Sequence, residues 1–327
     1  MSDKTEGYFY LALAMILVGS TVIASKVIAA GLPPFTATAL RFAIALPGFL
    51  LLMKLTGTRL PAIGRGDRLL LVLQAVAGSV GYTTLLISGL RMTSAADAGV
   101  IIGTLPVVSA LVSIVVLKER PGVALLLAIG LATAGVVAVA VPGEGADGGR
   151  GTWLGNALVM GAVVCESLFI LLNKRLRQPL QPLALSTVMT AIGLAASIVP
   201  ALLFEAPWRH GLPSGALTAV LYYALVPTVA GFVLWYAGSA RTSGTEASLF
   251  TALAPISAVA MAFLLLGEPV GFSQLVGIGC VVVAVLSLVL AGRRNSGAPR
   301  AAGRRQRRCD RNCNRSGGRK CGLAQRP

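Results

Sequence analysis

The sequence predicts an all-α integral membrane protein whose ten transmembrane helices form two inverted five-helix repeats. Three observations predict this class. The chain is 55% hydrophobic and only 12% charged, its basic residues fall mostly on one side of the predicted spans, and a stretch near residue 100 recurs near residue 250. Soluble domains are about a quarter charged, so this chain could not cover a water-facing surface. Most soluble enzyme classes are therefore excluded.

Ten apolar stretches are long enough to cross a bilayer as helices, which takes about 20 residues for a hydrocarbon core of roughly 30 Å. Their continuous apolar runs favour helices over the alternating strands of a membrane barrel. The first run is too long for a cleavable signal peptide, and other spans follow it directly. We place the spans at residues 8–30, 34–55, 68–90, 95–117, 121–141, 153–173, 181–204, 215–238, 245–267 and 271–291.

The distribution of Lys and Arg fixes the predicted orientation. With ten spans, eleven basic residues before the tail lie on the side of the N-terminus and three lie on the opposite side. Because cytoplasmic loops carry the excess of Lys and Arg, we expect both termini in the cytoplasm. An odd number of spans would place the basic tail outside and remove this agreement.

The tail, residues 292–327, holds twelve of the 28 basic residues and one acid, Asp310. It lacks apolar periodicity, so we expect a disordered cytoplasmic segment drawn to anionic lipid headgroups and no binding of nucleic acid. Its three cysteines have a spacing that fits no familiar zinc module, and the single histidine, His210, lies on the other side. We expect no metal and no cofactor.

Residues 93–122 align without gaps on residues 242–271, a shift of 149 positions with seven identities. Most of the identical residues are Thr, Ser, Pro, Glu or Gly, which a merely apolar composition does not explain. The shift places the fourth span on the ninth, and five helices per repeat invert the second repeat relative to the first. We therefore divide the chain into a first repeat (1–141), a connecting loop (142–152), a second repeat (153–291) and the tail.

Two Ser-x-x-acid patterns precede the fourth and ninth apolar runs, Ser94 with Asp97 and Ser243 with Glu246. This spacing is typical of a capping box, in which the side chains bond free amides at a helix start. Contact with a substrate or a proton is the alternative role for the two acids.

Two further pairs repeat at the same shift. Pro106 and Pro255 lie inside the fourth and ninth spans, where proline removes a backbone hydrogen bond and favours a kink suited to a hinge. Glu119 and Glu268 close these spans and are interpreted as turn residues. A small-residue face formed by Gly99 and Gly103 favours close helix packing.

These motifs carry a family resemblance. The strings GSTVIASK in the first span, PPFTATALRFA at the second, and the repeated SAADAGVIIGTLPVVSALVSIVVLKER and SGTEASLFTALAPISAVAMAFLLLGEP resemble the EamA-type members of the drug/metabolite transporter superfamily. The resemblance covers residues 8 to about 291. It implies ten helices in an inverted five-plus-five repeat, and an inner-membrane carrier that exports amino acids or related small metabolites.

Arg41 and Glu166 are the charges placed deepest in the predicted spans. A charge inside the bilayer is costly and usually faces the protein interior or a water-filled cavity, so both are candidate substrate-binding residues. Glu166 could carry a proton or balance a substrate amine. A structural ion pair is the alternative for both, and a snorkelling side chain is a second one for Arg41. Lys26, near the outer end of the first span, is interpreted as snorkelling.

Aromatic side chains of the third and eighth spans could form the wall of a small-ligand pocket. Core packing or anchoring at the membrane interface is the alternative for each. The aromatic residues available there are Tyr82, Tyr222, Tyr223, Trp235 and Tyr236. The candidates chosen from them are Tyr82, Tyr222, Trp235 and Tyr236.

The sequence thus predicts a secondary transporter that works by alternating access, with a small-molecule substrate and the lipid bilayer as its partners. No P-loop string occurs, so a gradient would drive transport, and proton coupling is one form of it. A non-transporting structural or receptor-like membrane protein is the first alternative, and an intramembrane enzyme is the second. The oligomeric state is left open, with a homodimer as one arrangement.

Overall fold

The computed structural model describes residues 3–60, 63–117, 123–140, 150–173, 175–176, 181–209, 211–242 and 250–297. Within these ranges every regular element is a helix. The chain forms two compact units, Met1–Val289 and Leu290–Pro327. The first unit contains the first predicted repeat, the second repeat up to Val289, and all the side chains discussed below.

Thirteen α-helices are described, and three short π-helical stretches extend some of them. The α-helices are α1 (Asp3–Gly31), α2 (Pro34–Thr56), α3 (Arg65–Gln74), α4 (Tyr82–Leu90), α5 (Ala95–Gly103), α6 (Leu105–Leu117), α7 (Val123–Ala140), α8 (Arg150–Asn173), α9 (Pro182–Pro200), α10 (Ser214–Tyr223), α11 (Gly231–Arg241), α12 (Leu253–Leu266) and α13 (Phe272–Gly297). The π-helices are Ala75–Gly81, Ala201–Glu205 and Ala224–Ala230.

Six helical stretches are long and apolar enough to cross a membrane. They are Thr5–Gly31, Pro34–Thr56, Gly66–Leu90, Thr152–Leu172, Pro182–Glu205 and Ser214–Arg241. The other apolar helices are shorter over the described residues, and the fourth predicted span is divided into α5 and α6. The all-α class with several apolar spans is therefore confirmed, while the count of ten stays a prediction.

Helix α13 extends further than the last predicted span. It runs to Gly297, six residues into the stretch that the sequence predicts as tail. The first proline after the predicted span is Pro299, which lies outside the described residues. An apolar run therefore marks where the predicted membrane segment ends, not where the helix ends.

The helices of the two predicted repeats pack against each other in a symmetric pattern. Helix α1 contacts α11 and α12, while α8, its equivalent under the 149-residue shift, contacts α4, α5 and α6. Helix α2 packs against its equivalent α9. The contacts of α1 with α11 and α12 correspond under the shift to the contacts of α8 with α4 and α6, so exchanging the repeats leaves these neighbours unchanged. Helix α5 also packs against α12, but the equivalent of α5, residues 244–252, lies largely outside the described residues.

Glycines allow the closest approaches between these helices. A Cβ atom added to Gly19 on α1 would overlap Ser257 Oγ and lie 2.7 Å from the Ala254 carbonyl oxygen on α12. Added to Gly103 on α5, it would lie 2.7 Å from the Pro255 Cβ. Close packing of this kind holds membrane helices together, because the surrounding lipid removes the hydrophobic driving force for helix association.

Acidic side chains close two helix N-termini from other elements. The Glu205 carboxylate accepts hydrogen bonds from the backbone N–H of Phe35 (2.9 Å) and Thr36 (2.6 Å) at the start of α2. The Glu268 carboxylate accepts from the N–H of Ala95 (3.1 Å) and Ala96 (3.0 Å) at the start of α5. Free amides at a helix start need acceptors, and the helix dipole favours a negative charge there.

Basic side chains close two helix C-termini at the same end of the helices. Lys26 Nζ donates to the carbonyls of Leu90 (2.8 Å) and Thr93 (2.5 Å) after α4. Arg91 donates to the carbonyls of Ala29 and Leu32 at the end of α1. We call this region, where Lys26, Arg91, Glu205 and Glu268 bond the helix ends, the capped end. It is the side that the charge distribution predicts to be external.

A further bond at the capped end joins the two repeats. Ser94 Oγ accepts from the Asp97 N–H at 2.9 Å and so caps α5. The Asp97 carboxylate accepts from Gln274 Nε2 of α13 at 2.8 Å. Asp97 is 7% exposed, so this bond is largely shielded from water.

The two repeated prolines coincide with helix interruptions. Thr104 separates α5 from α6, and Pro106 is the second residue of α6. Pro255 is the third residue of α12, which begins after a turn at residues 251–252. Proline is tolerated in the first helical turn because an N–H there has no intrahelical acceptor. The spans are therefore broken into shorter helices at these points rather than bent through a continuous one.

Replacing Gly19 by Ala should destabilise the fold by about 1 to 3 kcal/mol, because the added methyl group overpacks the contact with α12. The measurement is the temperature at which half of the detergent-solubilised protein stays monodisperse after heating. Gly279→Ala is the matched control, since no atom lies within 4 Å of a Cβ added there and alanine favours a helix over glycine. Equal midpoints for the two variants would contradict the close contact.

Replacing Glu268 by Gln should cost about 1 to 2 kcal/mol, because the two amides of α5 lose a charged acceptor. The midpoint of heat-induced aggregation should fall accordingly. Asp3→Asn serves as the control, because Asp3 pairs with Arg241 at 3.2 Å but its side chain is 83% exposed, and exposed pairs contribute little. A midpoint that stays at the wild-type value in Glu268→Gln would show that the cap does not stabilise the structure.

Candidate functional site

Arg41 is a buried cation held between two aromatic rings. Its guanidinium carbon lies 4.4 Å from the ring centroid of Phe42 and 4.6 Å from that of Tyr223. The Arg41 residue is only 8% exposed. Both contacts are cation–π interactions, which strengthen when water is excluded.

The neighbours of Arg41 are themselves fixed in place. Thr83 Oγ1 donates to the Ser79 carbonyl (2.8 Å) and accepts from Arg41 Nη2 (2.9 Å). On α9, a Cβ added to Gly193 would lie 2.8 Å from the Phe42 ring, so any larger residue at position 193 would displace this ring. Elements of both repeats therefore define the orientation of the guanidinium.

Arg41 lacks a full set of partners among the residues that the structure describes. Its Nε is buried and has no hydrogen-bond acceptor, and no carboxylate in the described ranges lies within 4 Å of the guanidinium. A charged donor without an acceptor in a low-dielectric interior is costly. The site is thus chemically suited to an anionic group such as a carboxylate.

Glu166 and Tyr82 lie in the same neighbourhood. Their side chains interact electrostatically with each other and with Arg41, and Tyr82 also interacts with Tyr223. Both residues are partly buried. The structure thus brings together three of the six predicted pocket residues, Arg41, Tyr82 and Glu166, and we call these three with Tyr223 the Arg41 cluster.

Tyr222 lies elsewhere, in a crevice of about 670 Å³ between α1, α10 and α12. Its hydroxyl group lies 2.8 Å from Ser20 Oγ. Leu265 lines the crevice and is 69% exposed, so the crevice opens at the surface of the helices. Tyr222 and Tyr223 are consecutive on one helix, about 100° apart around its axis, and this separates the crevice from the Arg41 cluster.

Trp235 and Tyr236 are also outside the Arg41 cluster. Tyr236 is 39% exposed, and its ring centroid lies 4.5 Å from that of Phe232, which contacts Phe49 edge-on at 5.5 Å. Trp235 is partly buried. The rings of Phe49, Phe232 and Tyr236 form an aromatic contact between α2 and α11 that is separate from the Arg41 cluster.

The remaining predicted motif residues divide into two groups. Five lie at the capped end or at the helix interruptions described above: Ser94, Asp97, Pro106, Pro255 and Glu268. Glu119, Ser243 and Glu246 lie outside the described residues. Across the described ranges, no three His, Cys, Asp or Glu side chains converge to hold a metal ion.

Three residues of the site were not among the sequence candidates: Phe42, Thr83 and Tyr223. An aromatic residue directly after a buried arginine and a threonine directly after a candidate tyrosine are weak signals in a chain this apolar. Tyr223 could not be chosen over Tyr222 from the sequence, because adjacent helical residues differ only in direction. The packing of α10 against α2 decides between them.

Comparison with known proteins identifies the family to which this chain belongs. The model of the EamA-like transporter family matches residues 5–141 and again residues 153–290. A solved crystal structure resembles the fold with a TM-score of 0.61, at 19% sequence identity, and covers 90% of this chain and 98% of that one.

Curated relatives extend over most of the sequence. The chain is 33% identical over 304 residues to the "Uncharacterized transporter YetK" of Bacillus subtilis, covering 92% of each protein. It is 28% identical over 241 residues to the "Probable terminal-alkyne amino-acid exporter" of Streptantibioticus cattleyicolor, covering 72% of this chain and 77% of that protein. Two family matches on an all-helical membrane fold establish the assignment: this chain is a multi-pass membrane protein of the EamA-like transporter family, within the drug/metabolite transporter superfamily.

Proposed function

We propose that this transporter exports amino acids or closely related small metabolites by alternating access, with the Arg41 cluster as its substrate site. The observation that carries the proposal is the buried Arg41 guanidinium, which has an unpaired Nε and no carboxylate within 4 Å in the described ranges. A substrate carboxylate would supply the missing acceptor. The relative from Streptantibioticus cattleyicolor named as a probable terminal-alkyne amino-acid exporter, which is similar over 241 residues, supports this substrate class.

Glu166 gives the cluster a second, opposite charge. An amino acid carries an ammonium group next to its carboxylate, and Glu166 interacts electrostatically with Arg41. A zwitterion could therefore place one charged group near each side chain. Between substrates, Glu166 could take up a proton instead, which would couple transport to a proton gradient.

The proposed architecture is ten helices in two inverted repeats with both termini in the cytoplasm. The symmetric neighbour pattern of the helices and the two separate family matches support it. Alternating access requires a path on each side that opens in turn. Bonds at the capped end, such as Glu268 to the amides of α5 and Asp97 to Gln274, join the two repeats, and we infer that they break when the external path opens.

Replacing Arg41 by Lys should lower the initial rate of amino-acid counterflow in proteoliposomes by about tenfold or more, equivalent to at least 1.4 kcal/mol. Lysine keeps the charge, but it lacks the flat guanidinium that stacks on two rings and donates in a plane. The assay uses the twenty radiolabelled amino acids, each preloaded in unlabelled form.

Arg241→Lys is the matched control for Arg41→Lys. Arg241 contacts the Tyr10 ring and Asp3 outside the Arg41 cluster, so its variant should transport at a rate near wild type. Wild-type rates in Arg41→Lys would contradict the site. Failure of the wild-type protein to move any amino acid would contradict the substrate class and favour a receptor-like role.

Replacing Glu166 by Gln should separate exchange from proton coupling. If Glu166 carries the proton, the variant no longer accumulates substrate in response to an imposed pH gradient, because glutamine cannot ionise. Counterflow persists at a lower rate, because the substrate ammonium group loses the negative charge that it faces. The measurement compares both activities at the same internal pH. An unchanged response to the gradient would exclude Glu166 as the proton carrier.

A further inference from the structure

Two seven-residue π-helices occupy equivalent positions in the two repeats. We call Ala75–Gly81 the N-half π-helix and Ala224–Ala230 the C-half π-helix. Their bounds differ by 149 residues, the shift that relates the repeated sequence motifs. The bonds that close them show the same shift, since the Tyr82 N–H donates to the Ala77 carbonyl and the Gly231 N–H donates to the Val226 carbonyl. Each bond spans five residues, as a π-helix requires.

The two π-helices do not follow from a shared local sequence. The strings AVAGSVG and ALVPTVA agree at only two of seven positions. Pi-helices are rare, usually a single turn, and frequent at functional sites. A matching pair in dissimilar sequences therefore indicates a feature that the architecture needs in both repeats.

Each π-helix has its own local cause. Pro227 has no N–H to donate to the Tyr223 carbonyl, and Thr228 Oγ1 donates to that oxygen instead at 2.8 Å. In the N-half π-helix, a Cβ added to Gly78 would lie 2.6 Å from the Phe169 Cγ, so this turn follows the surface of α8. Gln74, directly before it, is fully buried, and neither Nε2 nor Oε1 has a partner.

Both π-helices end or begin at the Arg41 cluster. Tyr82 and Thr83 directly follow the N-half π-helix, and Thr83 bonds both the Ser79 carbonyl inside it and the Arg41 guanidinium. Tyr223 directly precedes the C-half π-helix, and its ring centroid lies 4.6 Å from the guanidinium carbon of Arg41. A change in either π-helix must therefore displace a side chain that holds Arg41.

We propose that the two π-helices are paired hinges that link the Arg41 cluster to the opening of the transporter. A π-helical turn contains one residue more than the α-helical turn it replaces. If the π-helix narrows into an α-helix, the helix that follows it therefore rotates by up to about 100°. Narrowing the N-half π-helix moves Thr83, and narrowing the C-half π-helix moves Tyr223. The unpaired buried amide of Gln74 makes the present wide state costly. This inference rests on the proposed function for its biological role, but its structural test needs no substrate.

The test deletes the extra residue of each π-helix. Val76 (46% exposed) and Leu225 (43% exposed) are equivalent under the 149-residue shift, and deleting either lets the flanks join as an α-helix. Deletion of Leu51, which is 56% exposed in the regular helix α2, is the matched control. It rotates the rest of α2 by about 100° and should prevent monodisperse folding, whereas the two π-helix deletions should fold.

Spin-label distances in proteoliposomes report the hinge. All native cysteines are replaced by Ser, and label pairs are placed at exposed positions, Met92 with Ser214 at the capped end and Thr56 with Ala240 at the other. The full-length protein should show two distance populations at each end, and each deletion variant should show one. Retention of both populations in the deletion variants, or a single population in the full-length protein, would overturn the proposal.

Point substitutions keep the proposal testable if the deletion variants do not fold. Gln74→Leu removes the unpaired amide and should stabilise the present state, raising the heat-aggregation midpoint by several degrees. Pro227→Ala restores an N–H for the Tyr223 carbonyl. Each should shift the two distance populations toward one, and unchanged populations in both variants would overturn the hinge.

Transport assays separate this inference from the proposed function. If the wild-type protein moves no amino acid but the variants still lose one distance population, the substrate proposal fails and the hinge stands. If the deletion variants transport within twofold of the wild-type rate, the hinge fails whatever the substrate is.

Discussion

Every polar group that this chain takes away from water must find its partner within the protein, because the bilayer offers none. The capped end shows how that constraint is met. Glu205 and Glu268 bond free amides at the starts of α2 and α5, and Lys26 and Arg91 bond free carbonyls at the ends of α4 and α1. In each case the sign of the charge matches the helix dipole, so one contact satisfies a hydrogen bond and balances a charge.

Most of these caps come from a different helix than the one they close, so they also determine tertiary structure. Glu268 at the end of α12 closes α5, and α12 contacts α5 directly where Gly103 meets Pro255. Two independent constraints, backbone satisfaction and glycine packing, therefore fix the same pair of helices. Helix α12 is the equivalent of α6, which directly follows α5, so this contact joins the divided fourth span of the first repeat to the ninth span of the second.

The sequence could predict the fold class because lipid imposes long apolar runs, and it could predict Ser94 as a helix cap because capping is local. It could not predict the partner of Glu268, which is 173 residues away from Ala95. Nor could it distinguish Tyr223 from Tyr222, because a difference of one residue on a helix is a difference in direction. The two π-helices were equally hidden, since Pro227 and Gly78 cause them by different local mechanisms.

The Arg41 cluster departs from the rule that the capped end follows. At the capped end the four charged side chains bond free backbone groups, whereas the buried Arg41 keeps an unpaired Nε and Gln74, directly before the N-half π-helix, keeps an unpaired amide. The other buried polar atoms without a partner in the described ranges are Ser25 Oγ, Asn156 Nδ2 and Ser239 Oγ. Buried polar groups without a hydrogen-bond partner destabilise a folded structure by roughly 1 to 3 kcal/mol each. A charged guanidinium and an amide with both polar atoms unpaired cost more than a single hydroxyl group. The N-half π-helix directly follows Gln74 and bonds Arg41 through Thr83, so the free energy that these two groups cost lies where we propose that the transporter binds its substrate and changes shape.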